Sequence, residues 1–321
     1  MSDDVTEHYQ PHVAICIATY LRPKGLRSLI ESLNDQNLEG VDARVTLVIV
    51  DNAPETTARE TLGNIQNLTR WHVIYVIENV RGIVSARNRA LSEVPLDADY
   101  IAFLDDDETV SELWLKQMLE TFSLPDTVAV QGPVEPKYRQ DPPNWIEALN
   151  LFRMGPYTQG ARLPSAATNN SMVKASVVRH LGLRFDPRFN ITGGEDEEFF
   201  TRLRQAGGTI RASSDALVWD DVPENRISMR WLARRWFRKG NTLGRIALMH
   251  RRGVTMRAIK GFGAIGWGFL NFVCLGFGSS ARWHRGVLEI FRGTGMLAAL
   301  LRFEFAEYSA SAVQVDRVGG R

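Results

Sequence analysis

Five short apolar runs, each separated from the next by a polar or amphipathic stretch, constrain the fold of this chain most. They are VAICIAT (13–19), VTLVIVD (45–51), WHVIYVI (71–77), YIAFLD (100–105) and TVAVQG (127–132). Runs of this length, rich in β-branched residues, suit strands buried on both faces. Between the first two, KGLRSLIESLNDQ spaces Leu26, Leu29, Ile30 and Leu33 as i, i+3, i+4 and i+7, the stripe of an amphipathic helix. GIVSARNRALSE, between the third and fourth, reads the same way. After the fourth run, Thr109 and Glu112 form a candidate capping box for a helix reaching Phe122. Such alternation predicts an α/β fold, with a mainly parallel sheet and helices on both faces. In sheets of this kind ligands bind beyond the carboxyl ends of the strands.

The alternation then breaks down. Residues 133–170 are a Pro- and Trp-containing stretch, too long for a plain connection and read as a functional loop with short helices. EDEEFFTRLRQAGG (195–208) predicts a helix closed by Gly207 and Gly208. Strand-like pieces follow near 209–212 and 216–219, then a basic helix over about 228–250 and a Gly-rich apolar tail. The expected organisation is a first domain over 1–225 and a basic, apolar helical region over 226–321. At 321 residues the chain can bury a substantial core without disulfides or structural zinc. Its two cysteines, Cys16 and Cys274, are isolated in apolar runs and fit a reducing compartment. The acidic start lacks the pattern of a signal peptide, which places the expected location in the cytoplasm. A net charge of +1 conceals an asymmetry: residues 226–292 carry +13 and the remainder −12. The basic part invites anionic lipid, phosphate or nucleic acid.

Four groups of residues carry chemistry. In FLDDDE, Asp105, Asp106 and Asp107 follow a strand directly. Adjacent carboxylates repel one another, so a cation is their natural companion, and hard oxygen ligands suit Mg²⁺ or Mn²⁺ with a diphosphate completing the shell. A solvated turn leading into the next helix is the plainer reading. In TGGEDEEFF, Glu195 and Asp196 open a helix after two glycines; they are either partners of the helix dipole or a general base beside a ligand. Asp51 ends the second run, where it suits an Asx turn or a contact to a base or ribose. Arg81, Arg87 and Arg89 surround a helix start, available to phosphate or to surface ion pairs.

Taken together the strings ATYLRP (18–23), VDNAP (50–54), ENVRGIVSARNRAL (78–91), FLDDDE (103–108), GGEDEEFF (193–200) and VPENRISMRWLARRWFRKGN (222–241) resemble, in order, the family 2 glycosyltransferases of the GT-A fold, particularly bacterial exopolysaccharide members. The resemblance spans about residues 12–245. It implies an inverting, metal-dependent transfer of sugar from a nucleotide donor, usually a UDP-sugar, to a glycan or lipid-linked acceptor. Thr19, Tyr20 and Arg22 would line the nucleotide pocket, Asp51 would contact the nucleobase, and Arg81 and Arg87 would approach the diphosphate or ribose. Asp105 and Asp107 would form the D-x-D element, with Asp106 beside the nucleotide-sugar and Asp107 the direct ligand of Mn²⁺ or Mg²⁺. Asp196 would be the catalytic base, with Glu195 next to it contacting a sugar. Arg230, Trp231, Arg234 and Arg235 resemble the helix that closes near the diphosphate. Relatives often carry a His before the Val-Pro pair; here WDDVP offers Asp220 or Asp221 as a replacement oxygen ligand.

The uncharged stretch 261–281 contains six glycines and is flanked by basic residues, which favours a segment lying in the interface of an anionic membrane at the cytoplasmic face over the alternatives of a true span or a buried helical subdomain. Its Gly261-x-Gly263-x-x-Gly266 imitates a dinucleotide fingerprint but follows a basic helical segment, not a strand. A sugar-phosphate nucleotidyltransferase would open with a Gly-rich loop where this chain has YLRPKG. A non-catalytic scaffold would be expected to have lost one of Asp51, Asp105, Asp107, Glu195 or Asp196. No nucleic-acid partner is expected.

Overall fold

The computed structural model describes residues 9–305 apart from 54, 56, 191 and 276–278; the acidic start, Pro54 of VDNAP and part of the 261–281 stretch lie outside these. In chain order the elements are β1 (His12–Thr19), α1 (Pro23–Asn34), β2 (Arg44–Asp51), α2 (Ala58–Leu62), β3 (His72–Ile77), α3 (Ile83–Glu93), β4 (Tyr100–Asp105), β5 (Glu108–Val110), α4 (Trp114–Thr121) and β6 (Thr127–Gln131). They continue as β7 (Val134–Tyr138), α5 (Asn144–Ala148), β8 (Arg162–Leu163), β9 (Ser171–Lys174), α6 (Ala175–His180), α7 (Glu195–Gln205), β10 (Thr209–Ala212), β11 (Val218–Val222), α8 (Met229–Met249), α9 (Val254–Leu270) and α10 (Ser280–Leu300). Contacts divide the chain into two compact units. The first holds residues 1–135, 154–185 and 199–220; the second holds 136–153, 186–198 and 221–321.

The first unit is built on an eight-stranded sheet of order β3-β2-β1-β4-β9-β6-β10-β8. β1 runs parallel to both β2 and β4, and β10 runs parallel to β6. β9 lies antiparallel between β4 and β6, and β8 antiparallel on β10. All five predicted strands are present, within a residue of the expected bounds, and the sheet is mainly parallel. Val13, Ile15 and Ile17 of β1 and Val45, Leu47 and Ile49 of β2 pack in one core with the predicted stripe of α1, Leu26, Leu29, Ile30 and Leu33. Asn170 ties β9 into this core. Its Oδ1 accepts from Trp114 Nε1 at 2.7 Å, and its Nδ2 donates to the carbonyls of Pro133 and Ala216.

One local expectation fails. Thr109 and Glu112 are no capping box: Thr109 lies in β5, paired antiparallel with Trp219 of β11, and α4 begins at Trp114 without a side-chain cap. The register of the small sheet β5-β11-β7 takes the place of helix capping there. The 133–170 stretch contains β7, α5 and β8 rather than helices alone.

The second unit centres on three helices, with α10 packed against both α8 and α9. Among the described residues no helix is long and apolar enough to cross a membrane. Gly261 of the false fingerprint sits against Leu297 and the Gly293 carbonyl, whereas Gly263 and Gly266 face open space. The motif therefore serves helix packing at its first position only.

Candidate active site

The sheet order reverses between β1 and β4, because the strands following β1 and those following β4 extend to opposite sides. At such a switch point the carboxyl ends of adjacent strands open a crevice. The register brings Ala18 beside Asp105 and Thr19 beside Asp51, so three predicted motifs end on neighbouring strands. In the turn after β1, Leu21 holds a left-handed φ of +56° and is exposed. A non-glycine residue in that region is strained and is retained where the surroundings fix it.

Asp106 is the buried anchor of this turn. Its Oδ2 accepts from the Thr19 hydroxyl at 2.7 Å and the Tyr20 amide at 3.4 Å, and its Oδ1 accepts from Arg22 Nη1 at 3.1 Å. Burial pushes its carboxyl up to about 6, against the opposing pull of the Arg22 guanidinium. The same Arg22 nitrogen reaches Asp107 Oδ2 at 2.7 Å. Although burial disfavours its charge, Asp107 and Asp106 raise the pKa of Arg22 and keep it a cation. Asp105 accepts from Arg87 Nη2 at 2.9 Å, and Arg81 lies 5.2 Å over the ring of Tyr20. Thr19, Tyr20, Arg22, Asp106 and Asp107 thus form one hydrogen-bonded group in the first unit, with Arg81 over Tyr20 and the Arg87–Asp105 pair at the adjoining strand end.

Two further residues shape the group, and the sequence reading did not single them out. Glu108 is buried, accepts from the Asp105 amide at 2.8 Å and pairs across the strands with Asp220. Burial, then the charges of Asp105, Asp220 and Asp107, raise its carboxyl well above the usual range. Gly25, in the first turn of α1, approaches the carboxylate loop so closely that a Cβ would lie 2.4 Å from the Asp106 carbonyl oxygen. The acidic string signalled Glu108, which stands last in it. Gly25 gives no sign in sequence, since its partner is 81 positions away.

Asp51 is fully buried. Its Oδ1 accepts from the Ala53 amide at 3.0 Å, and its Oδ2 from the Ala58 amide at 2.6 Å and the Tyr75 hydroxyl at 2.5 Å. Both oxygens are thereby used to tie Asp51 to Ala53, Ala58 and Tyr75. Burial and this carboxylate raise the pKa of Tyr75.

Glu195 and Asp196 lie in the second unit, in the first turn of α7. Asp196 Oδ1 accepts from the Glu197 amide at 2.7 Å. Gly194 before them has φ +90°, and a Cβ there would lie 2.3 Å from Thr242 Cγ2 of α8. Two further contacts, one from α8 and one from the residue after it, hold the segment. Arg245 donates to the Thr192 hydroxyl at 2.5 Å and the Arg188 carbonyl at 3.2 Å, and His250 Nε2 lies 3.3 Å from Glu198 Oε1. Trp231 stacks on Phe152 with Arg235 over both rings, while Arg230 and Arg234 are exposed along α8.

Of the two candidate replacement ligands, Asp220 belongs to the first unit beside Glu108, whereas Asp221, next along the strand, is exposed and belongs to the second. Among the described residues no group of three or more His, Cys, Asp or Glu side chains is gathered to hold a metal ion. Asp105 and Asp107, each bonded to an arginine, are oxygen donors of the kind Mg²⁺ takes beside waters and substrate phosphates.

Two sequence profiles match this chain: glycosyl transferase family 2 over residues 14–182, and glycosyl transferase family group 2 over residues 100–302. The chain belongs to glycosyl transferase family 2. This family 2 glycosyltransferase is 34% identical over 304 residues to the succinoglycan biosynthesis protein ExoM of Rhizobium meliloti (strain 1021), covering 94% of this chain and 97% of that one. It is 31% identical over 198 residues to the pre-mycofactocin glycosyltransferase of Mycobacterium tuberculosis, covering 58% of this chain and 39% of the relative. Its fold is shared with S. aureus TarS 1–349, solved in complex with UDP-GlcNAc, at a TM-score of 0.52, 12% identity and coverage of 90% of this chain and 91% of that chain. The α/β architecture of the glycosyltransferase is therefore the GT-A fold.

Proposed function

We propose that this glycosyltransferase moves a sugar from a UDP-sugar donor to a hydroxyl of a glycan or lipid-linked acceptor in exopolysaccharide synthesis. The observation that carries the reading is the carboxylate–arginine group at the switch point, in a chain alike to ExoM over nearly its full length. The UDP choice is supported by the fold shared with a TarS complex that holds UDP-GlcNAc.

In this reading Thr19, Tyr20 and Arg81 line the nucleotide. Arg22 and Arg87, now engaged with carboxylates, turn part of their fork of donors to the diphosphate, which guanidinium matches well. Asp51 contributes by fixing Ala53, Ala58 and Tyr75 rather than by direct contact. Asp105 and Asp107 would hold Mn²⁺ or Mg²⁺, with Asp220, of the same unit and opposite Glu108, as a supplementary carboxylate. When bound, that ion supplies positive charge to the departing diphosphate. Asp196 takes the proton of the acceptor hydroxyl as its oxygen bonds to C1 of the sugar. The C1–oxygen bond to the diphosphate breaks and nucleoside diphosphate departs, with inversion at C1. Glu195 contacts a sugar, and Arg230, Trp231, Arg234 and Arg235 supply charge and a stacking surface for diphosphate and acceptor.

The test is a donor screen by thermal shift with Mn²⁺, followed by identification of the released nucleotide. Stabilisation by UDP-sugars and release of UDP are expected. Release of pyrophosphate would instead assign a nucleotidyltransferase and end this reading.

A further inference from the structure

The α9–α10 pair of the second unit is packed in the opposite sense to a water-soluble helical hairpin. Its closest approaches bring glycine against backbone, with Ile265, Ile290 and Leu297 packed beside them. A Cβ on Gly268 would lie 2.6 Å from the Gly286 carbonyl, and one on Gly293 would lie 2.5 Å from the Gly261 carbonyl. Gly261, Ala264 and Gly268 are the buried residues of α9. The large apolar side chains of this helix face outward instead: Met256, Ile259, Phe262, Trp267, Phe269 and Leu270 are all exposed, Phe262 to 67%. In water, large side chains fill the space between helices and small or polar ones face out. Small residues between helices with apolar ones outside are the pattern of packing in lipid.

Charge identifies the occupant of this face. Arg251, Arg252 and Lys260 on one side and Arg282 and Arg285 on the other are exposed around it. The only acid between Arg226 and Arg292 is Glu289, and it is bonded to Arg292 at 2.5 Å. An apolar face on a segment whose exposed charges are cationic complements an anionic bilayer surface. Among the described residues no helix is long and apolar enough to cross the bilayer. Trp267 and Phe269, near the end of α9, suit the depth at which aromatic rings settle in membranes.

We propose that the outer face of α9 embeds shallowly in an anionic lipid bilayer and holds the enzyme there. Binding to lipid needs no donor or turnover, so this inference stands or falls separately from the proposed transfer reaction.

The full chain is mixed with vesicles of phosphatidylcholine alone, or with about a third phosphatidylglycerol, and separated by flotation at low and high salt. Trp267→Phe/Phe262→Ser and Arg282→Gln/Arg285→Gln variants run beside it, each checked for an unchanged melting curve. Both variants alter exposed side chains outside the proposed catalytic machinery. Retention on the phosphatidylglycerol vesicles is expected. It should weaken on removing two charges by about 25-fold, from roughly fivefold per basic residue, and weaken further in high salt. Brominated lipids should quench wild-type tryptophan fluorescence and should quench the Trp267→Phe/Phe262→Ser variant less. Equal recovery with both lipids, or variants that bind as the parent does, would overturn the proposal. A concentration-dependent dimer that Phe262→Ser dissolves, without vesicle retention, would overturn it too and assign the face to a second copy of the chain.

Discussion

Gly25 and Asp106 show how closely the site depends on single residues. A methyl group at position 25 would meet the Asp106 carbonyl at 2.4 Å, and backbone cannot yield as a flexible side chain does. Gly25→Ala should therefore cost about 1–3 kcal/mol as overpacking. It should also weaken nucleotide binding, because Asp106 anchors Thr19, Tyr20 and Arg22. Chemical denaturation and nucleotide titration of the variant check both effects. His12, at the start of β1, gives a pH prediction. It is buried, its Nε2 lies 2.9 Å from the Thr46 hydroxyl, and burial followed by the charge of Arg44 lowers its pKa below 6.5 despite Asp97. The unfolded chain then binds the proton more readily than the folded one. The stability contributed by neutral His12 is complete above pH 6.5 and is lost as pH falls through the lower folded value. Melting temperatures followed from neutral pH downward should fall in that window, and His12→Gln should flatten this part of the slope.

At the scale of elements, legibility followed locality. The strands β1, β2, β3, β4 and β6 and the helices α1 and α3 declare themselves in apolar runs and stripes, and the register of β1 with β2 and β4 then gathers three motifs at one edge. β5 was hidden because Glu108-Thr109-Val110 reads as a helix start; only pairing with β11 makes it a strand. β9 was hidden because Ser171–Lys174 is short and is held by Asn170, whose partners lie far off in sequence. The grouping of residues 136–153 and 186–198 with the C-terminal helices likewise has no local periodicity to announce it. Among the helices, the contact between α8 and α10 is as tight as that between α9 and α10. A Cβ on Gly240 would lie 2.0 Å from the Arg292 carbonyl, and one on Gly295 2.0 Å from that of Phe237. Gly240→Ala should lower the melting temperature of the protein, despite the better helix propensity of alanine. An unchanged or raised melting temperature would show that these helices yield without cost.

For the whole molecule, charge and chemistry divide along the chain. Asp105, Asp106 and Asp107 lie at a strand end of the first unit, whereas Glu195, Asp196 and the basic excess lie in helices of the second. Of the predicted site, the group from Thr19 to Asp107 was legible because strand ends concentrate function in α/β sheets. The internal bonding of Asp51 was not, since it depends on Tyr75 from a neighbouring strand. The metal expectation is testable apart from turnover. Asp107→Ala should abolish the part of nucleotide binding that Mn²⁺ confers, read by calorimetry with and without the ion, while leaving metal-free binding within a few-fold. The account rests most heavily on Asp196 as the base of a sugar transfer, and the direct measurement compares Asp196→Asn with the parent chain for donor affinity and single-turnover transfer. The expected result is a loss on the order of 10²–10⁴ in the transfer rate at unchanged donor affinity. Transfer by Asp196→Asn at close to the parent rate would contradict it.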